Sequence, residues 1–187
     1  MLALDVCSIP YACRYGSLKF TVSSIPYAEL YYGAEAETTT TTLAKYVSHF
    51  GRSKQNPGYI FDGQILHTHS RLAQDAPVPT LFSNFTIALK QFILGPTGSG
   101  APPHFHRHAF NALVYGIKHW YLWPPGEAYF TFSHVQRWQR EYLAGRLTSP
   151  RAIECIQRPG DVAYVPENWG HAVINLADSV AVAYELQ

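Results

Sequence analysis

Short apolar or alternating stretches, separated by turn-forming residues, dominate the second half of the chain. Pro124 and Pro125 end one such stretch, and Pro159-Gly160-Asp161 indicates a turn between two others. Many short strands with little helical periodicity between them are typical of a β-sandwich or a β-barrel. The strands predicted in this half span residues 86–94, 111–122, 153–157, 162–165, 171–176 and 179–185.

The first half has a more mixed pattern. Alternation predicts strands over residues 17–23 and 58–63. Apolar residues recur at helical spacing over residues 43–50, and Gly51 is expected to end that helix. The run of threonines at 38–42 predicts a loop whose last residue caps the helix.

Three further segments lie between these elements. Residues 65–73 predict a helix, and the Gly- and Pro-rich residues 95–103 predict a loop. Ser133 is expected to cap another helix, which carries an apolar face. That face consists of Val135, Trp138 and Tyr142.

Composition narrows the classes of function. The 187 residues suit one domain, and 47% hydrophobic against 14% charged residues can bury a sizeable core. A net charge of +1 without a run of Lys or Arg argues against nucleic acid or an anionic membrane as the main partner. No apolar stretch approaches the roughly 20 residues that span a bilayer. Met1–Cys13 lacks the pattern of a signal peptide, although the chain could be truncated there.

The three cysteines, Cys7, Cys13 and Cys155, form neither a metal motif nor a disulfide framework. A bridge between the first two stays open. Asn84-Phe85-Thr86 is a glycosylation sequon, which matters only if the chain enters the secretory pathway.

Histidines are the residues that most clearly indicate chemistry. His104, His106 and His108 stand at i, i+2 and i+4, so in an extended chain they point to one side. Two such imidazoles can hold one metal ion, and His171, which opens a predicted strand, is the natural third ligand. The alternative is a solvated loop or a chance zinc contact.

Two blocks of sequence, residues 95–125 and 154–186, closely resemble the jumonji-C domain. The first contains Pro103-His104-Phe105-His106 and Gly116-Ile117-Lys118-His119-Trp120, and the second contains Trp169-Gly170-His171. The resemblance implies a mainly β fold, a cupin-type double-stranded β-helix or jelly-roll barrel with a few flanking helices. Residues 1–85 would form the N-terminal part of that fold, whether or not the chain is truncated there. Residues 86–187 would form the barrel core.

The resemblance also implies a site. His104, His106 and His171 map to the Fe(II) ligands of active relatives. Lys118 maps to the lysine that binds the far carboxylate of 2-oxoglutarate, and an anionic cosubstrate is a physical reason for a buried lysine. Surface exposure or pairing with a carboxylate is the alternative for Lys118. Asn111 and Asn175 match polar positions that line the cosubstrate pocket.

Two positions depart from the pattern of active relatives. His106 replaces an acidic ligand, and Ala101 replaces a Thr or Ser that contacts 2-oxoglutarate, with Ser99 two residues earlier. A replacement carboxylate could come from Glu167 or Asp178, near the distal histidine. A small subfamily, the jumonji-C domain-containing protein eight group, shares the His-x-His pattern and is placed in the endoplasmic reticulum lumen.

Three functions remain open at the level of sequence. The first is an Fe(II)- and 2-oxoglutarate-dependent oxygenase that modifies a protein side chain. The second is a non-catalytic jumonji-C domain that binds a partner protein. The third is a cupin that uses three histidines without 2-oxoglutarate, as thiol dioxygenases do.

Overall fold

The computed structural model describes residues 15–26, 38–50, 52 and 55–187. Gly51 and the pair Cys7 and Cys13, whose bridge the sequence left open, lie outside this part. The helices are α1 (Leu43–Ser48), α2 (Ile65–Thr68), α3 (Ser70–Gln74) and α4 (Val135–Leu143). The strands are β1 (Lys19–Ser23), β2 (Thr38–Thr42), β3 (Tyr59–Asp62), β4 (Ile87–Gly95), β5 (Gly100–His104), β6 (Ala109–Tyr115), β7 (Lys118–Trp123), β8 (Ile153–Gln157), β9 (Val162–Val165), β10 (Gly170–Asn175) and β11 (Ser179–Leu186).

The strands form two antiparallel sheets. The larger has the order β2-β1-β3-β4-β11-β6-β9, and the smaller has the order β5-β10-β7-β8. The inner faces of both sheets line one pocket. The mainly β fold class expected from the sequence is therefore confirmed, and β1–β3 belong to the same sheet as the core strand β4. The division of the chain at residue 85 stays a prediction.

Successive side chains of strand β11 point alternately to the two faces of the larger sheet. Ala181 and Ala183 lie on the face towards the interior of the barrel, whereas Val182 and Tyr184 lie on the outer face. The outer residues join a core that the N-terminal elements cover, with Phe110 of β6 stacked on Tyr184 at 4.7 Å between ring centroids. The N-terminal part thus shields the larger sheet and leaves its inner face to the pocket.

Helix α4 covers the outer face of the smaller sheet. Trp138 packs edge-on against Tyr121 and Trp123 of β7, with centroids 5.1 and 5.8 Å apart. The predicted apolar face is confirmed, but the cap is His134, whose side chain accepts from the backbone N–H of Gln136, and not Ser133. No helix in the described ranges is long and apolar enough to cross a membrane.

Two sequence predictions about loops and strands are wrong. The threonines 38–42 form β2, because pairing with β1 supplies the backbone hydrogen bonds that a β-branched run favours. Thr42 still caps α1, accepting from the N–H of Lys45. Half of the predicted 95–103 loop forms β5, and its two prolines are tolerated because β5 is an edge strand of the smaller sheet.

Two other elements are interrupted. The strand predicted over 111–122 breaks into β6 and β7 at Gly116, which has φ 93°. A Cβ atom there would lie 2.3 Å from the carbonyl oxygen of Asp178, so only glycine fits this turn. The helix predicted over 65–73 is divided into α2 and α3 at His69.

Candidate metal centre

The structure brings together the three histidines expected to bind metal. His104 ends β5, and His171 is its cross-strand partner on β10. His106 follows in the next loop, and its ring centroid lies 4.6 Å from that of His171. One ligand nitrogen from each histidine lies within 4.8 Å of the other two. This spacing suits three imidazoles that share one ion.

Backbone contacts fix how each imidazole is turned. The Nδ1 atoms of His104, His106 and His171 lie 2.8, 2.7 and 3.2 Å from the carbonyl oxygens of Pro102, Arg107 and Trp169. A carbonyl only accepts, so each Nδ1 carries the hydrogen and each Nε2 keeps its lone pair. Donation of the second ring N–H to a carbonyl is the usual support of a metal-bound histidine.

Burial keeps the two strand histidines neutral. It lowers the pKa of His104 to about 3, with the neighbouring His106 ring adding to the effect. The pKa of His171 is also lowered, first by burial and then by the other two imidazoles. Metal binding requires neutral imidazole, so these two ligands lose no proton when a metal binds at neutral pH.

The fourth candidate histidine, His108, does not join the cluster. Its Nδ1 lies 2.7 Å from the hydroxyl of Tyr164, and its Nε2 lies 3.8 Å from a carboxylate oxygen of Glu167. Glu167 is therefore directed towards His108, and Asp178 accepts from the N–H of Thr97. Neither suggested replacement carboxylate is part of the cluster.

The pocket beside the histidines has polar groups on the opposite sheet. Asn111 lines it, and its Oδ1 is the one buried side-chain oxygen or nitrogen in the described chain without a hydrogen-bond partner. Glu185 of β11 also lines it. The sequence analysis missed Glu185, although alternation along β11 would have placed it on the same face as Ala181 and Ala183.

Lys118 lies at the other end of the barrel interior and has no exposed surface. Its Nζ donates to the hydroxyl of Tyr59 at 2.9 Å and to Oδ1 of Asn175 at 2.7 Å. Burial lowers the pKa of Lys118 to about 7. The alternative of a surface-exposed or carboxylate-paired lysine is not what the structure shows. Tyr59, which lines the pocket, was not identified from the sequence.

The residues around Lys118 form a closed network. Asn175 Nδ2 donates to Ser99 Oγ at 3.0 Å, and the Ser99 hydroxyl donates to the carbonyl of Pro96 at 2.6 Å. Ala101 lines the pocket with a methyl group. Asn175 therefore holds Lys118 in place, whereas Asn111 has an atom without a partner.

The donor set suits a transition metal. Imidazole nitrogens are good ligands for iron, zinc, copper and nickel, and three of them leave positions open for other ligands. His104, His106 and His171 are therefore the residues that would hold such an ion. A pocket lined by both sheets lies beside these histidines.

Known proteins resemble this chain in sequence. JmjC domain-containing protein 8 of Mus musculus is 34% identical over 128 residues, which are 67% of this chain and 47% of that protein. The lysine-specific demethylase JMJ21 of Arabidopsis thaliana is 32% identical over 155 residues, or 68% of this chain and 16% of that one. The chain thus spans less than half the length of these relatives.

Solved structures show the same fold. One is the ribosomal oxygenase YcfD of Escherichia coli in complex with cobalt and 2-oxoglutarate. The match covers all of this chain and 45% of the YcfD chain, with a TM-score of 0.59 and 14% sequence identity. The neighbour supports the cupin-type barrel expected from the sequence. The JmjC domain family model matches residues 65–187. This chain belongs to the JmjC domain family.

Proposed function

We propose that this chain is an Fe(II)- and 2-oxoglutarate-dependent oxygenase that hydroxylates a protein side chain. The observation that carries the proposal is the set of three histidines whose Nδ1 atoms face backbone carbonyls and of which one ligand nitrogen each lies within 4.8 Å of the others. Backbone contacts therefore orient these imidazoles for metal binding even without a bound metal. A relative, the 2-oxoglutarate and iron-dependent oxygenase JMJD4 of Danio rerio, is 31% identical over 107 residues.

Lys118 supports the cosubstrate part of the proposal. An ammonium group has three donors, and two of those of Lys118 go to Tyr59 and Asn175. The third has no partner among the described residues, and no carboxylate contacts the group there. A carboxylate of 2-oxoglutarate would supply the missing charge, and Asn111 would offer a further polar contact inside the pocket.

In this proposal, the bound metal and the protein residues have different roles. Bound iron, together with 2-oxoglutarate and dioxygen, supplies the oxidising chemistry. The protein residues bind and orient: the histidines hold the metal, and Lys118 anchors the cosubstrate. The apolar walls, among them Trp120, Val165 and Val173, exclude water.

A non-catalytic JmjC domain is the second candidate, and two observations favour it. Ala101 lines the pocket without a hydroxyl, and Lys118 already has two neutral hydrogen-bond partners. In that case the chain would bind a partner protein and retain the histidines for metal-supported folding. A three-histidine centre that works without 2-oxoglutarate would leave Lys118 without a role in the reaction.

Formation of succinate from 2-oxoglutarate separates these functions. Purified protein is incubated under air with Fe(II), ascorbate and 2-oxoglutarate, and succinate is measured against His171→Ala as a metal-free control. The oxygenase proposal predicts slow turnover by the parent even without a protein substrate, and none by the control. Equal succinate from parent and control would favour the non-catalytic domain.

The endoplasmic reticulum lumen is proposed as the compartment because of the resemblance to JmjC domain-containing protein 8. Asn84 of the sequon is exposed, so a glycan could be attached there. We expect the chain in its full-length cellular form to lose mass on endoglycosidase treatment, whereas an Asn84→Gln variant should not. An identical mass before and after treatment would argue against this compartment.

A further inference from the structure

Glu185 lies at the metal end of the larger sheet. Within β11 it is paired with Ala109 of β6, and its neighbour Leu186 donates a backbone hydrogen bond to the carbonyl of His108 at 2.8 Å. The chain between His106 and Ala109 therefore runs directly beside Glu185. Alternation along β11 turns its side chain inward, where it lines the pocket.

Glu185 lines the pocket from the larger sheet, and His104 and His171 line it from the smaller sheet. At the opposite end, Lys118 of the smaller sheet touches Tyr59, which packs beside Gly95 of the larger sheet. From that contact, β10 runs to His171 and β11 runs to Glu185, so both residues lie away from the Lys118 end of the barrel. Facing sheets lie about 10 Å apart, a gap that two inward side chains and an ion between them can span.

Glu185 is also the one carboxylate among the described residues that line this pocket. Its side chain is partly buried, and it has no hydrogen bond or ion pair with any residue in the described ranges. The carboxylates suggested by sequence have other partners. Glu167 lies near His108, and Asp178 accepts a hydrogen bond from Thr97. A partly buried carboxylate without a partner, in the same pocket as a cluster of three imidazoles, is suited to balance the charge of a cation held there.

We infer that Glu185, which lines the pocket but lies outside the three-histidine cluster, supplies from β11 the negative charge that His106 does not. Three imidazoles leave the full charge of a divalent ion in a largely apolar pocket, which is unfavourable unless an anion lies close by. Glu185 provides that anion without occupying the sequence position of the usual acidic ligand. The inference rests on the metal-binding part of the proposed function and is independent of catalysis.

Cobalt(II) affinity tests this role directly. Dissociation constants are measured by competition with a chelator for the parent and for Glu185→Gln, which keeps the shape and removes the charge. We expect Co(II) binding to weaken about 10- to 100-fold, the loss typical when a carboxylate that supports a metal site is removed. Glu167→Gln, which removes the same charge outside the pocket, should change the affinity less than about threefold.

A double variant makes the test specific for charge. His106→Asp places a carboxylate at the usual position, so in the Glu185→Gln background it should recover most of the lost Co(II) affinity. Parent-like affinity of Glu185→Gln, or equal losses in Glu185→Gln and Glu167→Gln, would overturn the inference while leaving the metal site intact. A parent that binds no Co(II) would instead contradict the metal site itself, and the inference with it.

Discussion

The two ends of the barrel interior handle their polar groups in opposite ways. At the histidine end, the three clustered histidines and Glu185 line the pocket, and the Nδ1 atom of each imidazole faces a backbone carbonyl. At the lysine end, Lys118 is closed in by Tyr59 and Asn175.

This difference indicates how each end of the barrel interior is arranged for its ligand. A metal-bound histidine usually donates its second ring N–H to a carbonyl, and each of the three imidazoles already faces one. The histidine end is therefore arranged for an ion in advance. The lysine end is stable as it stands, so an anionic cosubstrate must add to a network that already satisfies most of its groups.

The largest effect is expected from removing a histidine ligand. His171→Ala should weaken binding of Co(II) or Zn(II) by more than about 100-fold, since loss of a direct ligand exceeds the loss of a supporting group. Calorimetric titration of the purified protein measures the affinity. His108→Ala is the matched control, because its ring contacts Tyr164 outside the cluster. Equal affinity of parent and His171→Ala would contradict the site.

The lysine end should respond to a different ligand. With metal present, saturation with the inert analogue N-oxalylglycine at about 100 times its Kd should raise the Tm of the parent by roughly 5–10 °C. Lys118→Ala should abolish this shift, because it removes the ammonium group that meets the carboxylate, and should keep metal affinity. The comparison of the two ends would be wrong if Lys118→Ala lost metal binding and ligand stabilisation together.

The histidine end should also make stability depend on pH. Because burial lowers the pKa of His104 to about 3, the unfolded chain binds more protons than the folded chain between that value and about 6.5. The metal-free protein should therefore lose stability as the pH falls from about 6.5 to 4. Thermal unfolding across this range checks the slope, and His104→Ala should flatten it. An unchanged slope in that variant would place the pH dependence elsewhere.

The smallest effect is expected from exchanging one ligand for another. His106→Asp restores the charge that active relatives have at this position, so we expect severalfold faster uncoupled conversion of 2-oxoglutarate to succinate than in the parent. The gain is limited because aspartate is shorter than histidine and the ion must shift. Succinate formation under air measures it. Robust turnover by the parent with loss in the variant would show that the three-histidine centre is itself the working catalyst.

The histidine cluster was predictable because a local motif and one distant block identify its members. His104 and His106 share a strand end, and His171 follows a recognisable turn. Alternation along β11 places Glu185 on the inner face, but which inward residues reach the pocket depends on how the strands pair, so Tyr59 and Glu185 were missed. Register follows from pairing between strands, which no single stretch of sequence specifies.

The wrong secondary-structure predictions have the same cause. The threonines of β2 have a strong preference for strands, but only pairing with β1 decides between a strand and a loop. The prolines of β5 suggested a loop because the edge position of that strand was not known. The strands that alternate or carry long apolar runs, β4 and β8 to β11, were predicted within a residue or two of their bounds.

Anaerobic titration of the parent with Fe(II) and then 2-oxoglutarate tests most directly whether the two ends act as one site. A cosubstrate held by Lys118 at one end and by the histidine-bound iron at the other should give the visible charge-transfer absorption of a chelated 2-oxoglutarate–iron complex. The band should saturate at about one equivalent of each component and be absent in His171→Ala. Tight binding of iron by the parent with no such band at saturating 2-oxoglutarate would contradict the account.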